Sequence, residues 1–337
     1  MFGKEPLQMI HRIAESDEIC RNFLAEQSPQ QVYMITGVRG VGKTVQMTEI
    51  SKRIRKEDNW VVVELNPAND LLVDLAAKLY NESSVTDIIR NAKINLSFWG
   101  IGVSLEQSDQ ITNIEVAVTR ILESIKKHNK RVLITIDEVT NSESMKIFSG
   151  AYQIFVRHDL PVYLLMTGLY ENIDALQNEK SLTFLHRAPK IYLKALNIGS
   201  IANQYKKTFY LHAEEAREMA LMTRGYSFAF QVLGYFTFEQ GGDYHAALET
   251  YREYLDEYVY RKIWSGLSGK DKRILNTVAG VESGKVNEIR NALNLKPNEF
   301  SPYRDRLIRR GILNGDERGV VRFTLPYFED YIRDNYY

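Results

Sequence analysis

At 337 residues the chain is too long for one hydrophobic core, and its 44% apolar and 26% charged residues are those of an ordinary globular protein of two or three domains. Its 43 Lys and Arg balance 43 Asp and Glu, which excludes a polycation wrapped in nucleic acid and leaves only local basic surface for such a partner. The single cysteine, Cys20, excludes an internal disulfide, and the lack of a spanning apolar run or a signal pattern points to a cytoplasmic protein without membrane contact.

Cys20 falls in a helical N-terminal segment, where a buried, unreactive thiol is expected. The six histidines are scattered and share no metal-type spacing with it, so no zinc site is expected. Val32–Thr36 reads as a short buried strand. It runs into Gly37-Val38-Arg39-Gly40-Val41-Gly42-Lys43-Thr44, which fits the phosphate-cradling P-loop pattern G-x-x-x-x-G-K-[ST]. Val45 to Ile54 follows with apolar residues at helical spacing. Strand, glycine loop and helix start together make the pattern physical. The glycines let backbone N–H groups close around a di- or triphosphate, and the helix N-terminus adds positive potential. Lys43 would face the β- and γ-phosphates, the Thr44 hydroxyl would ligate Mg²⁺, and residues 37–45 would hold ATP or ADP.

Further strands are expected at Trp60–Leu65, Val132–Asp137, Val162–Thr167 and Lys190–Leu193, separated by helical segments, which predicts a parallel sheet with crossover helices. Between the second and third, Ile94, Leu96 and Phe98 alternate with polar residues, Gly100 and Gly102 interrupt, and Val103 and Leu105 alternate again. A β-hairpin insertion at about 92–106 is expected there. Val132 to Ile136 followed by Asp137-Glu138 is an apolar strand closed by acids, the form of a Walker B segment. Asp137 would hold Mg²⁺ through its waters and Glu138 would polarise the attacking water. The next strand ends in Thr167-Gly168, where Thr167 either meets the γ-phosphate or the water, or simply ends the strand. A GTPase is disfavoured, because no N-K-x-D guanine reader is present.

From about 197 to 265 the pattern is wholly helical, with segments near Ser200–Phe209, Ala213–Thr223 and Phe228–Phe238. A long helix, Tyr244–Ile263, follows and carries Tyr251, Tyr254, Leu255 and Tyr258 along one side. Ser268 to Asp271 is a capping box that opens a helix with Ile274, Leu275 and Val278 inward. A second helix spans Val286–Leu293, and a third starts at Ser301-Pro302 and ends at Gly311. Ile312–Leu313 and Val320–Leu325 then pair as a wing, which completes a winged helix-turn-helix. Its third helix carries Arg304, Arg306, Arg309 and Arg310, and the wing Arg318 and Arg322. Residues 267–337 hold 13 Lys and Arg against 10 Asp and Glu, a thinner basic footprint than a dedicated DNA binder shows. Duplex DNA through Arg304, Arg309, Arg310 and Arg322, or a protein partner or second copy of the chain, are therefore both open.

With these residues the chain resembles the branch of AAA+ and related P-loop ATPases that includes origin-recognition-type proteins, the archaeal ATPase family and the STAND signalling NTPases. The resemblance implies an α/β P-loop sheet (residues 1–195), a helical lid (196–265) and a C-terminal winged helix (266–337). It also implies an ATP site between sheet and lid, nucleotide state coupled to lid angle, and a P-loop strand flanked by the sensor strand with the acid strand beyond it. Arg187, before the last sheet strand, falls where such relatives carry an arginine that touches a γ-phosphate in cis or in a neighbouring subunit; a surface ion pair is the other reading. The lid motif, glycine-x-proline or arginine-bearing in these families, is matched by Thr223-Arg224-Gly225-Tyr226-Ser227-Phe228, with Ser227 at the proline position and Arg224 as the one arginine that could substitute. The N-terminal glycine-arginine-acid box is reduced to Ile10-His11-Arg12-Ile13-Ala14-Glu15. Two functions follow: an Mg-dependent ATPase acting in a DNA transaction, or a nucleotide-gated signalling switch whose winged helix binds protein. A small-molecule P-loop kinase would explain neither lid nor winged helix.

Overall fold

The computed structural model describes residues 9–102, 111–179 and 182–336. They divide into two compact units, one of residues 12–36 and 43–192, the other of 9–11, 37–42 and 193–336. Among the described residues no helix is long and apolar enough to cross a membrane.

The first unit is a five-stranded parallel sheet with helices on both faces. In chain order it runs α1 (Ile13–Leu24), β1 (Val32–Thr36), α2 (Lys43–Ile54), β2 (Trp60–Leu65), α3 (Leu71–Asn81), α4 (Ser83–Asn91), α5 (Ile114–Lys127) and β3 (Arg131–Ile136). There follow α6 (Glu143–Arg157), β4 (Val162–Gly168), α7 (Tyr170–Gln177) and β5 (Lys190–Tyr192). The strand order is β2-β3-β4-β1-β5, so the acid strand β3 lies one strand beyond the threonine-tipped β4, as the family resemblance implies. Every residue of β1 and β4 is buried, because a sheet covered on both faces has no polar side to offer. Alternate strand residues (Met34, Val63, Ile134, Leu164, Met166) join α3, α5, α6 and α7 in one apolar core. The other set meets α1 and α2. There Phe23 packs edge-on against Tyr33 and Tyr163, with ring centroids 5.6 and 5.4 Å apart. Cys20 is buried in α1, and burial pushes its thiol up to about 11, which keeps it protonated and unreactive.

The hairpin expected at 92–106 does not form in its described part. Asn95 Oδ1 accepts from the Ser97 amide at 3.1 Å and its hydroxyl at 2.7 Å, which turns the chain into a single 3₁₀ turn, Ser97–Trp99, closed by left-handed Gly100. Val103 and Leu105 lie outside the described residues.

Among the described residues the second unit is helical apart from a short hairpin and an isolated bridge between Lys285 and Val320. Its helices are α8 (Ile198–Phe209), α9 (Ala213–Leu221), α10 (Ser227–Glu239), α11 (Leu248–Leu255), α12 (Arg261–Ser265), α13 (Gly269–Gly280), α14 (Val286–Leu293) and α15 (Pro297–Arg309). The strands β6 (Leu313–Asn314) and β7 (Arg322–Phe323) pair antiparallel, and α16 (Phe328–Asn335) closes the chain. Three expectations are corrected here. The long helix begins at Leu248, not Tyr244, and Asp256–Tyr260 is wound as a π-turn between α11 and α12. That wider turn shifts the phase, so Val259 and Tyr260 point inward while Tyr258 of the expected stripe is exposed and stacks on Tyr254. Helix α15 starts four residues before Ser301, at Pro297, where Glu299 accepts from the Lys296 amide at 2.8 Å, and Pro302 lies inside it. Ser301 is therefore no N-cap; its hydroxyl bonds back to the Pro297 carbonyl.

Candidate functional site: a phosphate loop and a carboxylate at the strand tips

Parallel strands deliver their C-terminal ends to one edge of the sheet, and the polar residues at that edge are the ones the motifs single out. The register sets Ile136 beside Met166, so Asp137 leaves β3 level with Thr167 on β4. Asp137 has both carboxylate oxygens engaged. Thr44, in the first turn of α2, donates its hydroxyl to Oδ2 at 2.7 Å, and Thr167 donates its own to Oδ1. The Thr167 hydroxyl in turn accepts the Glu138 amide at 3.2 Å, and its carbonyl accepts Val139 N–H at 2.9 Å. The chain after the acid strand is thus pinned to the tip of β4.

This pinning gives each side chain a different duty. Thr167 is fully buried and directed at Asp137, so it positions the carboxylate and the Glu138 backbone. Glu138 takes a left-handed backbone (φ +53°), an uncommon conformation for glutamate, and its side chain is exposed. Lys43 is largely buried at the start of α2, beside Thr44 and half-buried Val45. The donor set suits Mg²⁺, a hard cation that takes hydroxyl, water and carboxylate oxygen: Thr44 and Asp137 present such oxygens within 2.7 Å of each other at a helix N-terminus. When bound, Mg²⁺ would draw charge from the β- and γ-phosphate oxygens. Arg187 does not join this cluster. It is exposed at the end of a 3₁₀ turn, Thr183–Arg187, that precedes β5, on the side where the parallel strands enter the sheet.

The loop residues 37–42 belong to the second unit, and the sequence did not reveal their surroundings. Gly37, Gly40 and Gly42 all have positive φ, at 156°, 77° and 98°. Tyr226, just before α10, donates its hydroxyl to the Arg39 carbonyl at 2.5 Å. Ser227 donates to the Val41 carbonyl at 2.9 Å, and the Phe228 amide to the Gly40 carbonyl at 3.1 Å. Val38 lies against Gly311: a Cβ built on that glycine would be 3.4 Å from the Val38 backbone nitrogen. Arg224, the one arginine that could substitute as a lid sensor, is committed elsewhere. It forms a paired-end ion pair with Glu329 of α16 and donates to the Leu325 carbonyl at 3.0 Å. A lid motif rich in aromatic and hydroxyl residues was the available signal; its partners were not.

A glycine loop between a buried strand and a helix, followed in the sheet by a carboxylate-tipped strand, defines a P-loop ATPase. Residues 17–185 match the family model for the ATPase domain predominantly from Archaea, half of the chain, and the chain belongs to that family. Residues 257–332 match a domain of unknown function (DUF8462). Solved structures share the fold at low identity. The Walker-type ATPase PABY2304 of Pyrococcus abyssi superposes with a TM-score of 0.68 at 15% identity, covering 99% of this chain and 100% of that one. The ORC2 protein of Aeropyrum pernix, in its ADPNP–ADP complexes, gives 0.60 at 14% identity, covering 99% and 96%. Cdc6p of Pyrobaculum aerophilum gives 0.51 at 13%, covering 99% and 96%. No curated protein matches the chain in sequence.

Proposed function

We propose that this chain is a Mg-dependent, cytoplasmic ATPase that works as a nucleotide-gated switch, with residues 1–195 as its ATPase domain, 196–265 as lid and 266–337 as a winged helix-turn-helix that meets protein. ATP or ADP is held by residues 37–45, Asp137 and Thr44 serve the metal, and Glu138 serves the attacking water. The observation that favours a switch over a DNA-transaction protein is how the arginines of α15 are spent. Arg306 pairs with buried Asp271 at the start of α13, Arg304 pairs with Asp305, and Arg310 donates to the Gly266 carbonyl at 3.2 Å. A recognition helix needs such side chains at base edges or phosphates. On the hairpin Arg322 is exposed and lies 3.9 Å from Glu317, and Arg309 of α15 is exposed as well, so the DNA reading keeps those two residues.

The test is calorimetric titration of the wild type and Lys43→Ala with ATP and ADP under saturating Mg²⁺, with a gel shift on duplex DNA alongside. Wild type should bind both nucleotides and the variant should lose about 100-fold or more in affinity, since the charge facing the phosphates is gone. Equal binding by Lys43→Ala would overturn the nucleotide site. A salt-sensitive DNA shift abolished by Arg322→Ala would return the function to a DNA transaction.

A further inference from the structure

The P-loop pattern requires glycine at positions 37 and 42 but leaves position 40 free. Here position 40 is glycine for a different reason. A Cβ on Gly40 would sit 2.2 Å from the Tyr226 hydroxyl and 3.0 Å from the Phe228 Cβ, so the space of its side chain is occupied by the segment that opens α10. That segment ties three consecutive loop carbonyls, those of Arg39, Gly40 and Val41, through a tyrosine hydroxyl, an amide and a serine hydroxyl. Peptide planes are rigid, so fixing a carbonyl also fixes the direction of the N–H on the next residue. The amides so oriented are those of Gly40, Val41 and Gly42; the Val41 amide turns inward to the Val38 carbonyl at 3.3 Å, and those of Gly40 and Gly42 lie in the stretch whose amides close on phosphate. Burial pushes the Tyr226 phenol far above its ordinary value, so it stays a donor.

We propose that Tyr226 is a positioning residue for nucleotide binding. With Ser227 and the Phe228 amide it latches the phosphate loop into its anion-receiving shape, and Arg224, two residues earlier, anchors that latch to the C-terminal module through Glu329. The anchor rests on backbone as well as charge. Arg224 and Gly225 are both left-handed (φ +48° and +74°), Gly225 O accepts the Leu196 amide at 2.7 Å, and a Cβ on Gly225 would meet the Leu196 carbonyl at 2.5 Å. The turn therefore has little freedom to move on its own, and a shift of α16 reaches the loop through it. The proposal builds on the nucleotide-binding reading and adds a residue that touches no phosphate.

The experiment compares wild type, Tyr226→Phe, Ser227→Ala and Glu329→Gln by hydrogen exchange of the peptide spanning 37–42 without nucleotide, and by titration with MgADP. Tyr226→Phe should speed exchange of that peptide and weaken ADP by about three- to tenfold, the worth of one hydrogen bond, with kcat at saturating MgATP changed less than twofold. Glu329→Gln should move exchange and affinity in the same direction by less. Wild-type exchange and wild-type affinity in Tyr226→Phe overturn the latch. If Tyr226→Phe does not fold, Ser227→Ala carries the same two readouts at Val41, and wild-type values there overturn it equally. A wild type that binds no nucleotide would defeat the nucleotide-binding reading instead, and the exchange arm alone would then decide whether the latch exists.

Discussion

The tips of β3 and β4 and the α15–hairpin region are both rich in charge and hydroxyl groups, and they use them in opposite ways. At the strand tips, Thr44 and Thr167 spend their hydroxyls on one carboxylate, so Asp137 is held while Glu138 stays exposed. Around α15 the pairing is mutual. Arg306 with Asp271 and Arg304 with Asp305 neutralise one another, and Arg306 also lies over the Tyr303 ring. Convergence on a single acid fixes that carboxylate in one orientation. Mutual pairing closes a surface. The count of arginines in the last 70 residues could not separate these cases, since it registers charge and not partners.

The largest effect should come from Glu138→Gln, which keeps shape and removes the base. Nucleotide affinity should stay within about twofold while steady-state hydrolysis falls about 10²- to 10⁴-fold. An unchanged turnover rate would take Glu138 out of the reaction and leave its left-handed backbone without a catalytic reason. Thr167→Val comes next. It preserves volume but removes the hydroxyl that donates to Asp137 Oδ1 and accepts from the Glu138 amide, which keeps its bond to Asp137 Oδ1 at 3.0 Å, so kcat should fall about 10- to 100-fold, and the Mg²⁺ concentration needed for half-maximal rate should rise. If kcat falls with the Mg²⁺ dependence unmoved, Thr167 acts on substrate directly and the strand tips are less unified than their hydrogen bonds suggest.

On the other side of the comparison, Arg306→Ala should cost stability and not binding. It leaves Asp271, a fully enclosed N3 residue of α13, without its cation, and a loss of about 2 to 4 kcal/mol is expected in denaturant unfolding, with nucleotide turnover by the folded fraction unchanged. A variant as stable as wild type, but deficient in capturing a partner or DNA, would show that α15 is a recognition helix after all.

What could be read in advance follows the range of the interactions. The glycine loop and the acid strand are set by local pattern, the strand order is what the family resemblance implies, and all are found. The pairing of Asp137 with Thr167 and Thr44 needs only that order and the ends of the strands. Over its described part, 92–102, the expected hairpin gives way because three alternating apolar residues are too few to outweigh an Asn95 side chain that bends the chain. Tyr258 was misplaced because nothing in a 3.6-residue pattern announces a π-turn. Tyr226 to Arg39 spans 187 positions and Arg224 to Glu329 spans 105. No periodicity reports contacts of that length.

The smallest predicted effect concerns that same π-turn. Asp256 lies in it, half-buried, with Asp334 and Asp330 of α16 and Glu253 of α11 nearby and Arg252 as the favourable charge. Burial first, and then those acids, push its carboxyl up to about 6, above the ordinary carboxylate value of about 4. Tyr260 and Tyr331 feel its charge in turn. A raised acid disfavours the folded state when ionised, so the strain is complete above pH 6 and fades as the pH falls towards 4. Asp256→Asn should therefore stabilise the protein at pH 7.5 by about 1 kcal/mol, discounted for its partial exposure, and the gap from wild type should close between pH 6 and 4. Thermal unfolding of the two proteins across that range reads the difference directly. A gap that is constant with pH would mean the turn is held by its packing alone, and that the acids facing it from α16 are too well solvated to matter.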